Sequence, residues 1–212
     1  MREEGSYSVI ATIGNELRRH SPFTLLGTLS GVVLMTALVV GHVPVSWSRS
    51  LFWGLHPVHV LLSALVTASM LRLHRQAGWL LTLTVGYVGS IGIATLSDCV
   101  IPYVGEVLLG LPNRGIHLGF IEKWWLVNPL ALLGIVIGYL WPHTKLPHAG
   151  HVWLSTWASL FHMTMAASSG LSVVSFIAIP FFLFLAVWIP CCTSDIVFPL
   201  LFIEKHSHED IS

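Results

Sequence analysis

Residues 78–110 read GWLLTLTVGYVGSIGIATLSDCVIPYVGEVLLG. A hydrocarbon core of about 30 Å takes about 20 apolar residues as a helix, so this run is too long for one straight crossing. Near its middle stands Ser97-Asp98-Cys99-Val100-Ile101-Pro102. Proline has no N–H, and its ring clashes with the carbonyl four residues earlier. Pro102 is therefore expected to break the helix and free the carbonyl of Asp98. A carboxylate, an unpaired carbonyl and the Ser97 hydroxyl then meet inside an apolar run. Such a break is tolerated at membrane depth only where it faces protein or a wet cavity.

The pattern returns as Ser194-Asp195-Ile196-Val197-Phe198-Pro199, inside the apolar run 171–203. Pro199 is expected to free the Asp195 carbonyl in the same way. Two further pairs precede these motifs in the same order. Ser21-Pro22 leads to Gly27, and Asn128-Pro129 leads to Gly134. Each is expected to cap a helix, with Pro in the first turn. His56 then follows the first Pro at nearly the distance at which His162 follows the second. Four matches in order predict an internal repeat. Each copy holds three spans, an odd number, so the second copy is inverted. Such 3+3 plans place their sites at the repeat interface, in broken helices.

Composition agrees with a membrane protein. The 212 residues are 54% hydrophobic and 9% charged, against about 25% charged in a soluble domain. Mean hydropathy is +0.78. Disorder is excluded, because it needs low hydrophobicity and high charge. Ten basic and ten acidic residues cancel, which argues against a nucleic-acid partner. Cys99, Cys191 and Cys192 make no disulfide framework. The charged first twenty residues show no signal-peptide cleavage pattern. Ile10, Ile13 and Leu17 beside Arg18 and Arg19 suggest a short helix on the membrane surface.

The fold expected is an all-α polytopic membrane protein of six spans. These lie at roughly 22–41, 52–72, 78–97, 126–141, 151–169 and within 171–203, with the third and sixth broken. The chain divides into an interfacial segment 1–20, a first repeat 21–112, a linker 113–125, a second repeat 126–204 and a polar tail 205–212. Basic loop residues orient the spans. Arg2, Arg18, Arg19, Arg72, Arg75, Lys145 and Lys205 fall on one side, and Arg49, Arg114 and Lys123 on the other. Both termini are thus expected in the cytoplasm, with the chain in a plasma or inner membrane. Gly134 and Gly138 make a small-residue motif that suits a helix contact, such as a homodimer.

Twelve histidines exceed all Lys and Arg together. His56, His59, Ser63, Thr67 and His74 share one helical face, as do His148, His151, Ser155, His162 and Ser169. Two such stripes are expected to pack together or to line a cavity. The candidate metal ligands are His56, His59, Asp98, His162 and Asp195. His117, Glu122, His148, His151, Cys191 and Cys192 are candidate additions. The topology places His56, His59, Asp98, His117 and Glu122 toward the outer face. It places His143, His148, His151, Asp195, Cys191 and Cys192 toward the inner face, with His162 between. Imidazole and carboxylate suit Zn, Mn, Fe, Co or Ni.

Three functions compete. A transporter or channel for a divalent transition-metal cation, with the bilayer, the ion and protons as partners, uses the His and Asp of both halves; His can ligate or carry a proton. An intramembrane metalloenzyme would activate water at a metal with an open position and act on a lipid or other apolar substrate. No His-Glu-x-x-His or Gly-x-Ser-x-Gly motif is present. A b-type cytochrome would hold haem between paired histidines, His59 with His162 and His74 with His148.

Overall fold

The computed structural model describes residues 2–75, 77–143, 145–167 and 172–192, with side chains at 18, 21–73, 77–143, 149–167 and 172–191. Asp195 and the side chains of His74, His148 and Cys192 lie outside the described residues. The described residues are helical, with no strand among them. The helices are α1 (Arg2–Val40), α2 (Val45–Arg75), α3 (Trp79–Thr95), α4 (Ile101–Leu108), α5 (Gly119–Glu122), α6 (Trp124–Leu140), α7 (Lys145–Ala167) and α8 (Val173–Cys192).

Four stretches are long and apolar enough to cross a membrane: Ser21–Val40, Val45–Leu73, Trp79–Leu108 and Val173–Cys191. Helix α6 is apolar but has only 17 residues. Helix α7 carries the His and Ser stripe, and most of its described side chains are buried. Its polarity faces protein. The lipid-type surface lies elsewhere, as on α8, where Val173, Val174, Ile177 and Phe181 are exposed. Apolar side chains outside and polar ones inside are what a bilayer protein requires.

Helix α2 is the central strut, packed against α3, α6 and α7. Helix α7 in turn touches α1, α2 and α8. The direction of each pair can be read from its contacts. Phe52 meets His162 and His59 meets His151, so α2 and α7 run antiparallel. Gly134 sits on the Leu61 carbonyl and Gly138 on the Leu65 carbonyl, so α2 and α6 run parallel. A Cβ at either glycine would collide with the α2 backbone. The Gly134/Gly138 motif is therefore spent inside the chain and carries no argument for a dimer.

Several local expectations are corrected. Pro22 and Pro129 do not begin helices, because α1 and α6 run through them. The Arg18 carbonyl, which the missing N–H of Pro22 leaves without its helical partner, accepts the Ser21 hydroxyl at 3.0 Å. That bond lets α1 run on from Arg2 to Val40. The third span is bulged rather than broken. Leu96–Val100 forms one π turn, in which the Ile101 N–H reaches back five residues to the Leu96 carbonyl. In that register Pro102 spares the carbonyl of Ser97, not that of Asp98. The Ser97 carbonyl is satisfied by the Ser159 hydroxyl of α7 at 2.9 Å. The segment 113–125 holds α5 and the start of α6.

Candidate metal centre

The π turn points Asp98 into the crevice between α2 and α7. Its carboxylate is fully buried. One oxygen, Oδ2, accepts from His56 Nδ1 at 2.9 Å and from His59 Nδ1 at 2.7 Å. The other, Oδ1, accepts from Ser97 Oγ at 2.7 Å and Ser155 Oγ at 2.9 Å. A carboxylate offers about four lone-pair sites, and all four are taken. Sequence spacing explains how the donors converge: His56 and His59 lie one turn apart on α2, and Ser155 stands on the facing stripe of α7. The expected packing of the two stripes is what the structure shows.

A donor at Nδ1 leaves the other ring nitrogen, Nε2, with its lone pair. His59 is fully buried, and its Nε2 has no hydrogen-bond partner among the described residues. The His151 ring lies 4.9 Å from the His59 ring, centre to centre. Cys191 of α8 is buried beside them, its Sγ 3.7 Å from Ser155 Oγ. Two sets of ligand atoms each lie within 4.8 Å of one another: His56, His59 and Asp98, and His59, His151 and Cys191. His56 is held from two sides. Its ring stacks on Phe52 with centres 5.4 Å apart, and its Nε2 edge rests on the backbone of Gly119 in α5.

A second buried pair lies farther along α4. Glu106 Oε1 accepts from His162 Nδ1 at 2.7 Å, and Glu106 Oε2 from the Gly115 N–H at 3.2 Å. His162 Nε2 also lacks a partner among the described residues. The His117 ring centre is 5.4 Å from that of His162, and His117 bonds Glu122 at 3.3 Å. His117 and Glu122 are 34% and 41% exposed. The π turn explains why one helix aims both buried carboxylates at α7. Residues eight apart on a regular α-helix stand about 80° apart around the axis, and one extra residue in the turn reduces this to about 20°.

Of the residues expected at the site, His56, His59 and Asp98 do converge. His162 joins Glu106 instead, and the His117–Glu122 pair borders it. The expected inner and outer groups are not separate, since His151 and Cys191 stand at the level of His59. The reason is the stagger of α2 and α7. The His143 N–H bonds Ser69 Oγ at 3.2 Å, so α7 starts well short of the far end of α2. His59 and His162, a pair the haem alternative needs, do not face each other; His59 turns to His151 and His162 to Glu106. Glu106 was missed by sequence spacing. Its only signal was an ionisable residue inside an apolar run. Comparison with protein-family models, with curated proteins and with solved structures finds no match, so the functional reading rests on this geometry.

Proposed function

We propose that the chain is a small integral membrane transporter for a divalent transition-metal cation, driven by protons. The observation that carries this reading is the buried imidazole–carboxylate cluster at His56, His59 and Asp98, with His59 Nε2 lacking a hydrogen-bond partner among the described residues. Ionisable groups are costly within a membrane and mark ion or substrate paths by default. Glu106, His162, His117 and Glu122 extend polar groups from that region toward the surface. They supply a route by which protons, or the ion itself, reach the centre.

Six crossings with an inverted repeat fit this reading. Helix α1 packs Gly27 and Gly31 against Thr156 and Leu160 of α7. Helix α6 packs Gly134 and Gly138 against α2. The first helix of each half thus lies parallel to the second helix of the other, and α2 pairs with α7 across the middle. Exchange of α1 with α6, α2 with α7 and α3 with α8 leaves these pairings unchanged, which supports the repeat. Both termini are then cytoplasmic.

The test is uptake of Zn²⁺, Co²⁺, Ni²⁺ and Mn²⁺ into vesicles reconstituted with the full chain, with and without a pH gradient. The transporter reading expects uptake above empty vesicles for at least one ion, with a rate that follows the gradient. Glu106→Gln keeps an acceptor for His162 and should abolish the response to the gradient while the centre still binds the ion. An intramembrane metalloenzyme is the second reading, favoured by the His59, His151 and Cys191 group, whose three ligand atoms would leave a fourth position for water. Stoichiometric metal that never crosses the membrane would decide for the enzyme.

A further inference from the structure

We infer that the ion sits on His59 Nε2, His151 and Cys191, and that Asp98 is a positioning residue behind it. The inference rests on the proposed metal-handling function and specifies its ligand set. Three observations lead there.

The first concerns distance. The His56 and His59 nitrogens approach one oxygen of Asp98 to 2.9 and 2.7 Å. A tetrahedral ion with bonds of about 2.0–2.3 Å keeps its ligand atoms about 3.3–3.6 Å apart. These contacts are hydrogen bonds, and an ion there would have to break both. The second concerns capacity. Asp98 already receives donors from His56, His59, Ser97 and Ser155, which leaves no lone pair for a metal. The third concerns what that arrangement does to His59. A carboxylate that takes the Nδ1 proton fixes the tautomer, orients the ring and raises the basicity of Nε2, as outer partners of metal-bound histidines do. His59 Nε2 is buried and lacks a partner among the described residues. His59, His151 and Cys191 each offer a ligand atom within 4.8 Å of the other two, and with Nδ1 of His59 engaged by Asp98, Nε2 is the nitrogen left to ligate. A contraction of about 1 Å closes the shell.

Two imidazoles and one thiolate form a nitrogen–sulfur set with one open position. That chemistry selects Zn²⁺ or Co²⁺ and disfavours Mn²⁺, Mg²⁺ and Ca²⁺, which prefer oxygen. Cys191 binds as the thiolate, so each ion bound displaces the thiol proton into solution. The Cys191 thiol gives up its bond to Ser155 Oγ when it binds as thiolate, while the Ser155 hydroxyl keeps its own bond to Asp98.

The experiment is a Co²⁺ titration of the purified full chain in detergent, followed by its absorption spectrum and by X-ray absorption of the loaded wild type. The wild type should show the thiolate-to-cobalt charge-transfer band and a shell with one sulfur and two imidazoles. Cys191→Ser should lose the band. Asp98→Asn should keep the band and weaken affinity by about 10–100-fold. A wild-type shell without sulfur, or a band that survives Cys191→Ser, overturns the ligand set while a metal function stands. An Asp98→Asn variant that folds but binds nothing points to direct ligation by Asp98 and also overturns it. Wild-type protein that binds no Co²⁺ or Zn²⁺ overturns the ligand set, and if the vesicles also take up no ion, the transport reading falls with it.

Discussion

Asp98 organises the centre through acceptors rather than through charge alone. Each donor it gathers is a short side chain on a rigid helix, so the geometry tolerates little change. Gly119 illustrates the tolerance. Its backbone lies against the His56 ring, and a methyl group there would occupy the space of Nε2. Gly119→Ala should push His56 off Asp98 and destabilise the fold by about 1–3 kcal/mol, read as a lowered thermal midpoint in detergent. Glu106 has a different sensitivity. Removal of the carboxylate in Glu106→Ala leaves His162 buried with neither ring nitrogen partnered by the described residues. The cost expected for one stranded polar group is about 1–3 kcal/mol, and Glu106→Gln should recover most of it. Equal stability of Ala and Gln variants would mean that the pair contributes nothing to folding. Glu106 was not legible beforehand because its alignment with Asp98 depends on the π turn, which a regular 3.6-residue count does not contain.

At the scale of elements, the π turn and α7 depend on each other. Pro102 blocks the ordinary bond and Ser159 caps the spared Ser97 carbonyl, so the bulge persists only with α7 docked. Ser159→Ala leaves that buried carbonyl without its donor and should cost about 1–3 kcal/mol. The same variant should weaken cobalt binding, since Asp98 sits within the turn. Normal affinity in a destabilised protein would separate the bulge from the site. The contact of α6 with α2 is stricter. Gly138→Leu drives a side chain into the Leu65 carbonyl, and its cost should reach the upper end of about 1–3 kcal/mol or exceed it. Thermal unfolding beside Gly54→Leu, where an added Cβ meets nothing within 4 Å, provides the comparison.

At the scale of the molecule, topology is the measurable quantity. Six crossings expect single cysteines at His42 and Asn113 to react with an impermeant thiol reagent from outside. Cysteines at Gly78 and His143 should react only from inside. Reaction of Asn113 and His143 from the same side would mean that α6 does not cross, and the inverted repeat would fall. The Gly27/Gly31 and Gly134/Gly138 contacts make that repeat testable within the fold, because equivalent substitutions should weaken equivalent interfaces.

Composition and periodicity alone determined the membrane class, most helix positions and the two polar stripes. These are properties of single helices, and a 3.6-residue period places their side chains before any packing is known. Only the tertiary structure decided which stripe residues meet. The stagger of α2 against α7 moved His151 to the level of His59, the packing of α8 brought Cys191 beside them, and the π turn rotated Glu106 toward His162. All three depend on how far one helix slides or turns against another. Residue spacing within a helix carries no record of that displacement, because it arises from packing between chain segments far apart in sequence.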